Sequence, residues 1–135
     1  MAYWLLKSEP GTWSWADQVA RGTEPWDGVR NAQAQANLRA MAVGDLAFFY
    51  HSVSEKRIRG VVEIVGAFRP DPTDATGRHG LVDVKALYPL PTPVSLATIK
   101  ADPRLAHLAL VRQARLSVQP VDAEAWALIL SLGGA

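Results

Sequence analysis

The chain has 135 residues and no cysteine, with 49% hydrophobic residues, 20% charged residues and a net charge of +1. Its length and ordinary composition predict one globular domain over residues 1–135. The absence of cysteine excludes disulfides, thiolate metal sites and cysteine nucleophiles. Because fourteen basic residues nearly balance thirteen acidic ones, a protein that coats nucleic acid by charge alone is disfavoured.

The sequence contains no apolar run of about 18 residues, and it does not start with a charged segment followed by an apolar one. We therefore expect no contact with a membrane and a cytoplasmic location. No exposed heptad pattern is present, so we expect the chain to be a monomer.

The first part of the chain is predicted to form a strand, two helices and then further strands. Ser14 and Asp17 have nearly the spacing of a capping box, and Asn31 is suited to cap the second helix. The predicted elements are a strand at 3–6, a helix from 13 or 14 to about 21, a loop at 22–30, a helix at 32–41, and strands at 46–50, 58–68 and 81–87.

The last part of the chain is predicted to be less regular. Pro89, Pro91 and Pro93 lack a backbone donor and are expected to exclude regular structure. The predicted elements after them are a helix at 95–100, short strands at 108–111 and 115–118, an end of the sheet at 120, and a helix that follows 122. Because βαβ alternation is missing, the predicted class is α+β, and glycines within short strands favour a strongly curved sheet or barrel.

Trp26 lies in a polar loop, which is a poor position for a core residue. It is a good position for a flat wall against a planar ligand with hydrogen-bonding edges, such as a nucleobase. If their strands pair, residues 7–9 and 50–52 meet at one rim, where the Trp26 loop and Arg30 can cover them. This arrangement predicts an aromatic pocket, in which a stacked base gains about 1–3 kcal/mol.

Residue types suited to catalysis are present without the patterns that usually accompany them. Ser8, Asp27 and His51 are the types of a nucleophilic triad, but the strand-to-helix nucleophile motif is absent. Glu9 with either Glu63 or Asp27 is a candidate carboxylate pair. His51 and Glu55 have metal-ligand spacing only on a helix. No metal site and no cofactor are predicted.

Two alternatives to base recognition stay open at this stage. The first is an enzyme that acts on a nucleobase or small heterocycle in the same pocket, with His51 or Glu9 as acid or base. The second is a small-molecule or protein-interaction module, which would bind without dependence on phosphate.

Several motifs together resemble one known family, the EVE domain, from about residue 2 to residue 133. The matching segments are Tyr-Trp-Leu-Leu-Lys-Ser-Glu-Pro at 3–10, Trp-Asp-Gly-Val-Arg-Asn at 26–31, Gly-Asp at 44–45, Phe-Phe-Tyr-His-Ser at 48–52, Pro-Asp-Pro-Thr at 70–73 and Arg-Leu-Ser-Val-Gln-Pro-Val at 115–121. The resemblance implies a PUA-like fold, which is a small bent β-barrel with flanking helices related to YTH domains. It also implies non-catalytic recognition of a modified base in DNA or RNA.

The resemblance assigns roles to residues by their position in these motifs. Trp26 is similar to the cage Trp of YTH domains. The residues implied to line the same cleft are Lys7, Ser8, Asn31, Tyr50, His51 and Ser52. The arginines implied or expected to contact base edges or phosphates are Arg30, Arg57, Arg59, Arg112 and Arg115.

The chain departs from the family pattern at two places that bear on the pocket. His79 stands where relatives often carry a Trp, so an imidazole is expected to close the pocket or leave it half open. Gln35-Ala36 replaces an Arg-Asn pair of the second helix, so the contact of that Arg is lost unless Arg39 supplies it.

Overall fold

The computed structural model describes residues 1–135 as six strands and five helices. The strands are β1 (Tyr3–Ser8), β2 (Thr23–Pro25), β3 (Leu46–His51), β4 (Arg57–Pro70), β5 (Gly80–Ser95) and β6 (Val118–Val121). The helices are α1 (Trp15–Arg21), α2 (Ala32–Ala40), α3 (Leu96–Ala101), α4 (Ala109–Arg112) and α5 (Ala123–Leu132), with one 3₁₀ turn at Pro103–Leu105. None of these helices has the length and apolar character needed to cross a membrane.

The strands form one mixed sheet in the order β2-β5-β4-β3-β1-β6. β1 and β3 are parallel, and the other neighbours are antiparallel. β4 and β5 are long and pair with several register shifts, which bend a sheet. The predicted α+β class with flanking helices is therefore confirmed, although the hydrogen-bonded ladder stays open between its edge strands β2 and β6.

Each face of the sheet carries its own hydrophobic core, because side chains alternate along a strand. Leu6 and Phe49 belong to one core together with Trp15 and Trp26. Leu5 and Phe48 belong to the other core, which α5 covers. We refer to these as the first core and the second core.

Helix starts were predictable because their signals are local. Ser14 caps α1 in a complete capping box with Asp17, as predicted. Asn31 caps α2 by accepting from the Ala34 amide at 3.0 Å, and Asp122 caps α5 in the same way. These caps satisfy backbone donors that the first helical turn leaves unpaired.

Several predicted boundaries were wrong near prolines and in the last third of the chain. Residues 108–111 form most of the helix α4 rather than a strand, and the strand predicted at 115–118 starts at Val118 and includes Pro120. The prolines at 89, 91 and 93 lie within β5, beyond the short stretch that pairs with β2. The register with β4 shifts between the pairs Gly60–Pro89 and Ile58–Val94, so Pro91 and Pro93 lie in a stretch without a ladder partner and their missing donors interrupt no ladder bond. The strand β2 was missed inside a predicted loop.

Candidate functional site

The predicted meeting of two strand ends is confirmed. β1 and β3 run parallel, with Lys7 opposite Tyr50 and Ser8 opposite His51. The Ser52 amide extends this pairing by donating to the Ser8 carbonyl at 2.9 Å. The ends of the two strands therefore form one rim of the sheet.

A cleft of about 450 Å³ opens above this rim. We call it the first cleft. It is lined by the end of β1, the turn before α1, the end of β2 with the loop that follows it, and one residue before β6. The lining residues are Lys7, Ser8, Glu9, Thr12, Trp13, Glu24, Pro25, Trp26, Asp27, Gly28, Val29, Arg30 and Ser117.

The expectation that Trp26 stands outside the core was wrong, since Trp26 belongs to the first core; it also lines the first cleft. Only 8% of the residue is exposed. Its ring meets Phe49 edge to face with centroids 5.6 Å apart, and its amide donates to the Val82 carbonyl at 2.8 Å. Trp26 is thus a wall fixed by packing, and Trp13 adds a second aromatic side chain to the same cleft.

The loop after Trp26 is held from behind by a buried carboxylate. Asp71 accepts from the Gly28 amide at 2.9 Å and from the Arg30 guanidinium at 3.0 Å. Gly28 has φ of +80°, a conformation that favours glycine. Gln35 completes the support by donating to the Val29 carbonyl at 2.7 Å. This wall of the cleft is therefore preorganised.

The Asp71 side chain has no exposed surface, yet it is held in its charged form. Burial alone would raise its pKa, but hydrogen bonds from the Thr73 hydroxyl, the Gly28 amide and the Arg30 guanidinium outweigh burial. Together they hold the pKa of this carboxyl well below its ordinary value. Charge-assisted hydrogen bonds of this kind are about twice as strong as neutral ones.

Lys7 lies half-buried between the cleft and the last loop of the sheet. Its ammonium donates to the Ala114 carbonyl at 2.6 Å and lies 5.8 Å from the centre of the Tyr50 ring. Burial lowers the pKa of Lys7 from its ordinary value. No carboxylate forms an ion pair with it, so its remaining donor capacity is available to a ligand.

The charges that line the first cleft do not favour an anion. Lys7 and Arg30 are its two cations, and the carboxylates of Glu9, Glu24 and Asp27 outnumber them. Arg30 is already paired with the buried carboxylate behind the loop. The first cleft is therefore suited to an uncharged planar group with polar edges rather than to a phosphate.

Several predicted ligand-binding residues do not line the first cleft. Tyr50 and His51 are buried, and Asn31 is used as a helix cap. His51 Nε2 accepts from the Trp15 amide at 2.8 Å, and its Nδ1 lies 3.1 Å from the Glu55 carboxylate. His51 and Tyr50 therefore belong to the rim and its support of α1, and Asn31 supports α2.

His79 does not close the cleft either. Its Nδ1 lies 2.7 Å from the Asp74 carboxylate within the loop before β5. Gln35 hydrogen-bonds both polar groups of the Gly80 backbone, so it ties α2 to β5. Arg39 packs over the Phe68 ring at 4.9 Å and does not replace the missing arginine contact at the cleft.

The four arginines predicted outside the cleft lie in different surroundings. Arg57 is exposed at the start of β4, and Arg59 pairs with Glu55 at 3.1 Å. Arg112 donates to the Ala106 carbonyl at 3.1 Å. Arg115 lines a second cleft of about 300 Å³, together with Asn31, Gln33, Gln113, Ala114 and Leu116.

Two supporting residues, Asp71 and Gln35, were missed by sequence reasoning. A signal for the first was present, because Asp71 and Thr73 are spaced as in an Asx turn, and the Thr73 amide donates to Asp71 at 2.8 Å. Gln35 had no such local signal, since its partners at Gly80 are 45 positions away. The sequence shows that Gln35 departs from the family pattern, but it does not predict the supporting role of this side chain.

A bent, open α+β sheet with a preorganised aromatic cleft at the end of a parallel strand pair defines a PUA-like domain. The model of the family described as EVE domain matches residues 2–132. The chain belongs to the EVE domain family.

Known proteins of this family are similar along nearly the whole chain. Human thymocyte nuclear protein 1 is 33% identical over 97% of this chain and 73% of its own length. The Rpa0253 protein of Rhodopseudomonas palustris is 55% identical, with a TM-score of 0.95 over 99% of this chain and 94% of that one. The crystal structure of human THYN1 protein in complex with 5-methylcytosine containing DNA has a TM-score of 0.91 at 32% identity, covering 100% of this chain and 99% of that one.

The fold is also similar to a YTH domain, as the resemblance implied. The YTH domain of Zygosaccharomyces rouxii MRB1 protein, solved in complex with N6-methyladenosine RNA, has a TM-score of 0.58. It covers 98% of this chain and 86% of that one at 18% identity. This similarity concerns the fold alone.

Proposed function

We propose that this chain is a non-catalytic reader of a modified nucleobase in DNA or RNA. The observation that carries the proposal is the first cleft, with a packed aromatic wall and polar edges, in a chain whose human relative was solved with 5-methylcytosine DNA. A base reaches such a cleft by leaving the stack of the nucleic acid.

The cleft offers both donors and acceptors to the edge of a base. The Ser8 hydroxyl donates to the Trp13 carbonyl at 2.5 Å, so its oxygen remains free to accept. Lys7 supplies a donor, and the carboxylates of Glu9 and Asp27 are acceptors. The amino donor of cytosine can be matched by these groups, and because a relative was solved with 5-methylcytosine DNA, 5-methylcytosine is the first candidate ligand.

The arrangement of His51 supports binding over catalysis. The alternative of an enzyme has His51 or Glu9 as its acid or base. Glu9 lines the first cleft, but both ring nitrogens of His51 face groups of this chain away from it. We further propose a single domain over residues 1–135 and a monomer. A cytoplasmic location also remains a proposal, since the human relative is named a nuclear protein.

Binding of labelled oligonucleotides tests the proposal. Cytosine and adenine would be offered plain and methylated, in single- and double-stranded DNA and RNA, and measured by fluorescence anisotropy. We expect the wild type to prefer one modified base. Trp26→Ala should lower that affinity about tenfold or more, because base stacking is worth about 1–3 kcal/mol.

Trp26 also packs in the first core, so a second variant is needed to separate binding from folding. Trp26→Phe keeps an aromatic contact with Phe49 and should fold, while offering a smaller surface to the base. Trp126→Phe is the matched control in the second core. If the wild type binds methylated and plain oligonucleotides equally, and Trp26→Phe changes nothing, the proposal is wrong.

A further inference from the structure

The first cleft is poorly suited to bind the phosphates that flank a bound base. Its carboxylates outnumber its cations, and Arg30 is already paired with Asp71. A nucleotide held there by its base still carries a charged phosphate on each side. Affinity of proteins for nucleic acid depends strongly on contacts to those phosphates. The contacts must therefore come from another surface close to the first cleft.

The second cleft has the complementary chemistry. Arg115 is its only charged lining residue, and the other polar lining side chains are the amides of Asn31, Gln33 and Gln113. Arg115 is exposed and forms no ion pair or side-chain hydrogen bond within the chain. A guanidinium beside neutral amide donors, with no carboxylate in the lining, is suited to a phosphate group.

The two clefts are direct neighbours. The Lys7 ammonium lines the first cleft and donates at 2.6 Å to the carbonyl of Ala114, which lines the second. The segment 113–117 separates them, since its last residue, Ser117, lines the first cleft and the others line the second. A backbone that leaves the first cleft over this segment therefore reaches Arg115.

We propose that the second cleft binds a backbone phosphate flanking the base that occupies the first cleft, with Arg115 as its main contact. This inference rests on the proposed function and adds a second subsite to it. The first cleft identifies the base, and the second contributes affinity that does not depend on the base.

Replacement of single phosphates tests this assignment. The probe is a short DNA duplex with one central 5-methylcytosine, in which each of the nearest phosphates on either side is replaced in turn by an uncharged methylphosphonate. In the wild type, one replacement should weaken binding about tenfold, as expected for a charged hydrogen bond. In Arg115→Gln, the same replacement should cause no further loss.

Salt dependence gives a second readout from the same proteins. Arg115→Gln should reduce the slope of log affinity against log salt by about 0.9, the value for one phosphate contact on duplex DNA. Its preference for the methylated over the plain duplex should equal that of the wild type. Lys100→Gln is the matched control, because it removes one positive charge from α3, which lines neither cleft.

The outcomes separate the two hypotheses. If Arg115→Gln remains as sensitive as the wild type to every phosphate replacement and keeps its salt slope, the second subsite is wrong and base recognition stands. If Lys100→Gln changes the salt slope as much as Arg115→Gln does, the change in slope reflects the total charge of the protein, and the proposal of a second subsite is again wrong. If the wild type prefers no modified base in any of the oligonucleotides described above, both hypotheses fail together; a preference for a different modified base moves the same phosphate replacements to an oligonucleotide that carries that base.

Discussion

At the scale of single residues, the site depends on groups that a ligand would never touch. Asp71 and Gln35 fix the backbone between Trp26 and Arg30, and neither lines the first cleft. Lys7, Ser8, Trp26 and Arg30 were predicted from motifs and do line it. Gln35 escaped prediction because a hydrogen bond across more than 40 positions leaves no pattern in the local sequence. The Asx turn of Asp71 is a local signal, but it does not indicate the distant partners Gly28 and Arg30.

Asp71→Asn should destabilise the protein by about 2 kcal/mol at neutral pH. The amide nitrogen would face donors from Gly28 or Arg30, and a buried polar group without a partner costs about 1–3 kcal/mol. The pKa of Asp71 is lower in the folded protein than in the unfolded chain, where it is about 3.9. The ionised carboxylate therefore stabilises the fold above about pH 3.9, and this contribution is lost as the pH falls below that value. Urea unfolding should therefore show that the free energies of unfolding of Asp71→Asn and of the wild type approach each other below about pH 4.

The same variant should weaken binding of the methylated oligonucleotide, because the wall that carries Trp26 loses its support. Asp74→Asn is the control, since Asp74 lies in the same loop and its side chain contacts residues 76–79 only. Equal loss of affinity in both variants would contradict a specific role for Asp71.

At the scale of elements, α1 packs against the sheet through Trp15, whose ring lies directly on Gly60 of β4. A Cβ added to Gly60 would lie 2.4 Å from the Trp15 ring, which is closer than any real contact. The glycines of β4 were predicted to mark bends, and Gly60 indeed lies at a shift of register. The close approach of Trp15 was not predictable, because it depends on how a distant helix packs.

Gly60→Ala should destabilise the protein by about 1–3 kcal/mol, as overpacking of a core usually does. It should also move α1 and with it Trp13, so that the first cleft changes shape. Gly11→Ala is the control, because nothing lies within 4 Å of its added Cβ. Thermal unfolding of both variants would settle the point, and equal melting temperatures would contradict the packing of Trp15 on β4.

At the scale of the whole molecule, the sheet separates the first core, which lies on the side of the candidate site, from the second core, whose packing also stabilises the fold. The first core lies beneath the first cleft. The second core is centred on Trp126, whose ring stacks on Tyr3 and Phe48 with centroids 4.6 Å and 3.9 Å apart. The α5 helix that carries Trp126 was predicted correctly, since its apolar residues recur at helical spacing.

Trp126→Phe should destabilise the protein by about 1–2 kcal/mol, because two aromatic pairs are weakened. The ratio of affinities for methylated and plain oligonucleotides should stay at the wild-type value, since the altered core faces away from the cleft. Urea unfolding and anisotropy on the same preparation would measure both quantities. A change in that ratio would show that the two cores are coupled through the sheet.

The pairing of β1 with β6 has a consequence for how the molecule assembles. Residues 3–6 pair with residues 118–121, so contacts of very long sequence separation hold one end of the sheet. Such contacts form late and slow the folding of small domains. Ser117 lines the first cleft opposite the end of β1, and the cleft is therefore incomplete until the last part of the chain has joined the sheet. During synthesis, the nascent chain therefore completes its candidate binding site only after residues 117–121 have left the ribosome and joined the sheet.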